Sequence, residues 1–270
     1  MEKNAKARLL LAVTAVVGGV TGVASAQQAT LLNQNFDSLP LGPFVSPTET
    51  GGNGMDWTDV PPAGWTRDNS GVPEGPPPEF RGFTFMNRDS WIITEGNQER
   101  LGFSRGIGTL MIADPDAFDD GTPIEPNLFH PTITTPSIAL GGVQANSLVL
   151  NFSSSFRPYD GMTARVAVKF DNGSFNNILE YNTANSGGDS SLMRVDEDVT
   201  LNVVNPAGAN SVQFRFEMAE AGNDWWWAID NVLVKGTVPE PSSAALLGFG
   251  LAALARRARR NPTGVAPAAE

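Results

Sequence analysis

Asn223 to Val234, NDWWWAIDNVLV, is the stretch whose reading decides the fold. Successive side chains of an extended strand point to opposite faces. Trp225, Trp227, Ile229 and Leu233 then share one face, and Trp226, Ala228, Asp230 and Val232 the other. Apolar groups on both faces predict a central strand with protein packed on either side. Asp230 is the exception within it. A carboxylate at such a place is costly unless it is hydrogen-bonded or bound to a metal ion.

Other runs of strand character lie on the N-terminal side of this one. Ser147 to Phe156 alternates, with Leu148, Leu150 and Phe152 against Val149, Asn151 and Ser153. Ala164 to Phe170 alternates as well, and Asp171-Asn172-Gly173-Ser174 supplies a hairpin turn with Asn-Gly at its centre. Val199 to Val204 and Val212 to Met218 add two further strands. No long helical period occurs in this region, so the spacing predicts an all-β sandwich.

Earlier in the chain the pattern is looser. Gln34 to Val45 reads as a first strand followed by a Pro/Gly turn. Thr48 to Phe80 is dense in Gly, Pro and Asp and contains Trp57 and Trp65. Buried indoles would pin it as an ordered loop, the alternative being a disordered linker. Phe83 to Thr94 reads as a strand around Trp91, Ile92 and Ile93, and Gly108 to Ala113 as another. Asp114 to His130 reads as an acidic, proline-containing loop.

Both ends have a different character. Lys3, Lys6 and Arg8 precede the apolar run Leu9 to Val20, and Ala24-Ser25-Ala26 follows it. This is the layout of a secretory signal peptide over residues 1–26, cleaved after Ala26. At the other end, residues 238–260 hold three parts in order: Pro239-Glu240-Pro241, the apolar run Ala244 to Ala255, and a cluster containing Arg256 and Arg257. Prolines keep the first part extended, good helix formers fill the second, and the third is of the kind held on the cytoplasmic side of a membrane. The apolar run is shorter than the roughly 20 residues of a full span. A tail, residues 261–270, follows.

Residues 27–237 remain for the exported domain, enough for one sizeable all-β domain. Between Gln27 and Val238 stand 11 Lys and Arg against 26 Asp and Glu, a net charge of −15. Such a surface disfavours nucleic acid and suits Ca²⁺. The chain has no cysteine, which excludes disulfides, iron–sulfur clusters and thiol nucleophiles.

The C-terminal arrangement resembles the PEP-CTERM sorting signal of Gram-negative bacteria. That resemblance implies export, recognition by an exosortase-type membrane protease, loss of the tail, and delivery to the cell surface or extracellular matrix. The signal-peptide layout at the N-terminus gives the Sec translocon and signal peptidase as expected partners. The Trp225–Val234 strand, together with Asn35-Phe36-Asp37, resembles MAM-like and concanavalin- or galactose-binding-like jelly rolls. These bind proteins or sugars without performing chemistry and often hold a structural cation between their first and last strands. The expected fold is therefore a jelly-roll-like β-sandwich, with an N-terminal signal helix and a short C-terminal membrane helix.

No catalytic constellation stands out. His130 is the only histidine and lies between Phe129 and Pro131, without the strand–turn–helix elbow that presents a nucleophilic serine. Zinc in its usual ligation is excluded by composition. Paired carboxylates for a secreted hydrolase carry no signal among so many acids. Two places suit Ca²⁺. Asp114, Asp116, Asp119 and Asp120 lie in one stretch, readable also as a solvated acidic loop, and Asp37 of the first strand would lie beside Asp230 of the last, readable also as ordinary hydrogen-bonded aspartates. The function expected is structural or adhesive and non-catalytic, the alternative being a carbohydrate-binding module whose tryptophans stack on polysaccharide.

Overall fold

The computed structural model describes residues 26–42, 56–75, 78–94, 97–121, 128–159, 161–182, 192–239, 250–254 and 256, without the side chains of residues 120 and 121. Ala26 to Pro239 forms one compact unit. The predicted signal peptide up to Ser25 and the tail from Asn261 lie outside the described residues. Residues 250–254 and 256 are helical. Among the described residues, no helix is long and apolar enough to cross a membrane.

The compact unit is a jelly-roll-like sandwich of two antiparallel sheets. One sheet runs β11 (Arg194–Val203), β8 (Leu148–Arg157), β13 (Trp226–Pro239), β5 (Thr109–Ala113), β4 (Thr84–Asn87) and β2 (Trp57–Thr58), with β1 (Ala26–Gln34) also paired to β13. The other runs β10 (Asn176–Asn182), β9 (Thr163–Phe170), β12 (Ser211–Ala219), β6 (His130–Thr134) and β3 (Thr66–Gly71), with β7 (Ile138–Ala139) paired to β12. Aromatic contacts join the sheets. Phe216 of β12 meets Phe152 of β8 at 5.4 Å and Trp227 of β13 at 5.9 Å between ring centroids.

β13 is central, as its two-faced apolarity predicts, and its two edges are used differently. One edge pairs with β8 for most of its length. The other pairs with β5 at Trp227–Ile229 and then with β1 from Val232 to Pro239. At the changeover the β13–β8 register shifts between Asp230 and Leu233, and Asn231 takes φ 56°. A bulge of this kind turns the following residues over. Trp227 and Ile229 lie opposite Phe156 and Ser154, whereas beyond the bulge Val234 lies opposite Leu150. Leu233, expected on the face of Trp227, therefore lies on the opposite face, and Val232 and Val234 are buried instead.

Three expected elements are corrected. The first strand is β1, which ends at Gln34, where the sequence places its beginning; Phe36 to Leu39 is a turn closed by the Leu39 N–H on the Phe36 carbonyl at 3.0 Å. The strand expected around Trp91 stops at Asn87, because the Asn87 side chain accepts hydrogen bonds from the N–H groups of Asp89 and Ser90 and starts helix α1 (Arg88–Ile93). The acidic loop is in part helix α2 (Pro115–Gly121). Asp114 caps it through the Ala117 N–H at 3.2 Å, and Pro115 occupies the first helical position. The segment holding Trp57 and Trp65 is ordered where described, with those residues 2% and 6% exposed and short strands β2 and β3 in place of continuous loop.

Candidate functional site

The sorting end of the domain is built from its first and last strands. β1 runs antiparallel to β13 in a ladder that begins with Ala26 opposite Pro239, Gln27 opposite Val238 and Gln28 opposite Thr237. The predicted signal-peptidase site and the first proline of the Pro-Glu-Pro motif thus share one end of one sheet. Ala26 and Pro239 are both exposed there. On the opposite edge Thr237 is held by its carbonyl to the Gln144 N–H at 2.8 Å and by its N–H to Ser147 Oγ at 3.1 Å. Beyond Thr237 the strand is paired with β1 alone among the described residues. Arg256 is exposed; Ala24, Glu240, Pro241 and Arg257 lie outside the described residues.

A second constellation sits where β13 passes from β5 to β1. Phe36 follows β1 in the left-handed region, at φ 60°, although its ring is fully buried against Trp65 and Phe85. A bulky residue there is a backbone outlier. The turn it makes carries Asp37 to the start of β5, where Asp37 Oδ1 accepts the Thr109 N–H at 2.9 Å and Oδ2 accepts Asn35 Nδ2 at 2.9 Å. Two residues earlier, the Ile107 N–H donates to Asp230 Oδ2 at 3.1 Å. Asp230 Oδ1 accepts the N–H of Asn231 at 2.6 Å. The two aspartates therefore grip the same 107–109 segment, one from the turn after β1 and the other from β13. Gly108 lies between them at φ 67°, and a Cβ there would stand 2.1 Å from Asp37 Oδ1.

Electrostatics distinguish the two carboxylates. Asp37 is exposed, whereas Asp230 is 1% exposed. Burial pushes the Asp230 carboxyl up to about 7, against the pull of the Ile107 and Asn231 N–H groups, and the charge of Asp37 adds to the rise. A cation would lower that cost. The donor set suits a hard ion only in part, since two carboxylates supply at most four of the six to eight oxygens that Ca²⁺ takes. Among the described residues no three His, Asp or Glu side chains gather to hold a metal ion.

Asp114 and Asp116 do not fit a cation. Asp114 is fully buried and its Oδ2 accepts Arg100 Nη2 at 2.9 Å, Arg100 Nε at 3.2 Å and Trp91 Nε1 at 2.9 Å. Asp116 Oδ2 lies 3.7 Å from the same guanidinium. Arg100 is itself fully buried, its guanidinium carbon 4.8 Å from the centroid of Trp226 and 5.8 Å from that of Trp91. The charge that the sequence assigns to a metal is met by an arginine. Asn97, Gln98 and Glu99, just before it, all have positive φ, and the Gln98 side chain accepts from Arg100 Nη1. Of the other two acids there, Asp119 accepts a hydrogen bond from Asn223, and the side chain of Asp120 lies outside the described residues.

The tryptophans are mostly interior. Trp57, Trp65, Trp91, Trp226 and Trp227 are buried, and Trp225 alone is partly exposed, with the Arg157 guanidinium carbon 3.9 Å from its centroid. Tyr159, 48% exposed, is two residues beyond Arg157 at the same end of the sheet, where Arg157 pairs with Trp226. His130 starts β6 and its Nδ1 accepts the Glu220 N–H at 3.2 Å.

Comparison with known proteins places one element firmly. Residues 237–260 match the PEP-CTERM protein-sorting motif. The chain thus carries the signal of an exported protein that is sorted by way of the membrane and processed by an exosortase. No curated protein matches the chain. Among solved structures, it is similar to the K3 cleaved adhesin domain of Lys-gingipain from Porphyromonas gingivalis, at 17% identity over 77% of this chain and 99% of that one, with a TM-score of 0.43. A cyclase from Fischerella sp. is similar at 11% identity over 80% and 98%, with a TM-score of 0.45. A carbohydrate-binding module that recognises mannan is similar at 11% identity over 78% and 98%, with a TM-score of 0.34.

Proposed function

We propose that this chain is a structural or adhesive protein of the cell surface or extracellular matrix that performs no chemistry of its own. The observation that carries the reading is the direct fusion of the sorting motif to the last strand of the sandwich, with β13 running into Pro239. Signal peptidase would act on the facing strand at the same end of the ladder, after Ala26, once the Sec translocon had engaged the segment before it. Ca²⁺, held by Asp37 and Asp230 and completed by carbonyl and water oxygens, would neutralise the buried carboxylate and fix the junction of β1, β5 and β13. The test is the intact mass of the protein from each cell fraction of the native host. A surface or matrix form lacking both residues 1–26 and the region beyond Pro-Glu-Pro is expected. A membrane form that keeps Ala244–Arg260 would mean that the tail is a simple anchor.

A second reading, a polysaccharide-docking module, has one observation in its favour: Trp225 is the one tryptophan that reaches the surface, and Tyr159 lies at the same end of the sheet. Aromatic faces suit the apolar faces of sugar rings. Glycan-array binding by the domain that is lost in Trp225→Ala would establish it, and an array without signal would leave the structural role.

A further inference from the structure

We infer that β1 acts as a guard strand over the sorting site, so that the sorting protease cuts the tail only when the outer pairs of the β1–β13 ladder open. The inference rests on the reading of residues 237–260 as an exosortase signal. Proteases take substrate as an extended segment whose backbone pairs with the enzyme, much as a peptide adds a strand to a sheet edge. For a cut in or just after Pro-Glu-Pro, that segment includes the residues leading into the motif. In the folded domain those residues are already a strand in a sheet. Gly236, Thr237, Val238 and Pro239 lie opposite Ala29, Gln28, Gln27 and Ala26.

The surroundings of this segment divide it in two. Up to Lys235 the strand is paired on both edges, with Val149 of β8 on one side. Thr237 is still tied on that side by Gln144 and Ser147. Among the described residues, Val238 and Pro239 have β1 alone as neighbour strand. The end of a ladder opens at little cost compared with its buried middle. Pro239, the first residue of the motif, thus stands at the outer end of this ladder, and a closed ladder withholds the approach to the motif. In the chain cut after Ala26 the ladder begins at Gln27, and opening its first two pairs, Gln27–Val238 and Gln28–Thr237, would leave Val238 and Pro239 without a neighbouring strand and Thr237 held only through Gln144 and Ser147. Residues 26–30 are largely exposed, so their release uncovers little apolar surface.

Cross-linking tests this directly, because the chain has no cysteine of its own. Gln28→Cys with Thr237→Cys joins a directly opposed pair, close enough for a disulfide in an antiparallel ladder. The full chain carrying both substitutions, oxidised or reduced, is incubated with membranes of the native host, and loss of the tail is followed by intact mass. Asn151→Cys with Thr200→Cys, an opposed pair between β8 and β11, serves as the control cross-link. The expected result is slower tail removal in the oxidised form of the β1–β13 double variant, on the order of tenfold or more. Its reduced form and both forms of the control should be cut at the wild-type rate. Equal cutting of the oxidised and reduced β1–β13 double variant overturns the guard role. If the wild-type chain itself keeps its tail under these conditions, the sorting reading falls, and the guard role with it.

Discussion

Asp37 and Asp230 hold two backbone N–H groups of the 107–109 segment: Thr109 on the first and Ile107 on the second. One aspartate follows the first strand, the other precedes the bulge in the last. Both are set by left-handed residues, Phe36 and Asn231, next to them in the chain. This junction fixes where β13 exchanges β5 for β1, and several expected outcomes follow from it and from the layer around Arg100.

Gly108→Ala should destabilise the domain by about 1–3 kcal/mol, since it adds a Cβ at positive φ and drives it into Asp37. In an Asp37→Ala background the clash is gone and only the backbone strain remains. A double-mutant cycle by urea denaturation should therefore show strong non-additivity. Additive effects would mean that the two residues do not meet.

The stability difference between wild type and Asp230→Asn should depend on pH in a definite direction. In EGTA the folded Asp230 carboxyl titrates near 7, against about 3.9 when unfolded. Between these values the native state binds the proton more tightly, so the stability contributed by Asp230 is fully present below about pH 4 and is lost as pH rises towards 7. Urea midpoints followed from acid to mildly alkaline pH would show this fall and a level region above it. Added Ca²⁺ should remove the fall in wild type and leave Asp230→Asn unchanged, because a bound cation favours the ionised form.

Arg100→Ala should cost about 3–5 kcal/mol, because it leaves the fully buried Asp114 without its counter-charge. Arg100→Met with Asp114→Asn should recover much of that loss, since the pair then carries no charge. Thermal melts of the single and double variants decide it. A single variant as stable as wild type would show that water reaches Asp114.

Trp227→Ala should cost about 3–5 kcal/mol, as it removes a ring packed between the sheets against Phe83 and Phe216. Trp225→Ala should cost much less, being partly exposed. Comparable losses for the two would contradict the placement of Trp225 at the rim.

The strands that could be read from sequence are those with a clear period and a clear stop. Leu148, Leu150 and Phe152 alternate, and the Asn-Gly turn closes β9 onto β10. β1 was hidden because it has no such period: its residues are exposed or half-buried, and its strand form comes from pairing with β13, which lies at the far end of the sequence. α1 was hidden because Trp91-Ile92-Ile93 has strand propensity, and the Asn87 cap overrides it. The Asp114-Pro115 start of α2 was a usable cap signal that the acidic composition obscured. For the site, the strand bearing Asp230 was legible, whereas the turn that carries Asp37 and the shared hold of the two aspartates on residues 107–109 were not. Arg100 gave no pattern at all, because a lone arginine does not announce the carboxylate it will meet.

The pairing of β1 with β13 also sets an order of events in folding. A contact between opposite ends of a chain closes a very long loop, and such contacts form late and slowly. β1 is the first strand of the domain in the sequence, and the strand it pairs with is the last. The sandwich therefore cannot seal until β13 has been supplied, because that strand fills the gap between β8 and β5, and every earlier strand waits on the last one.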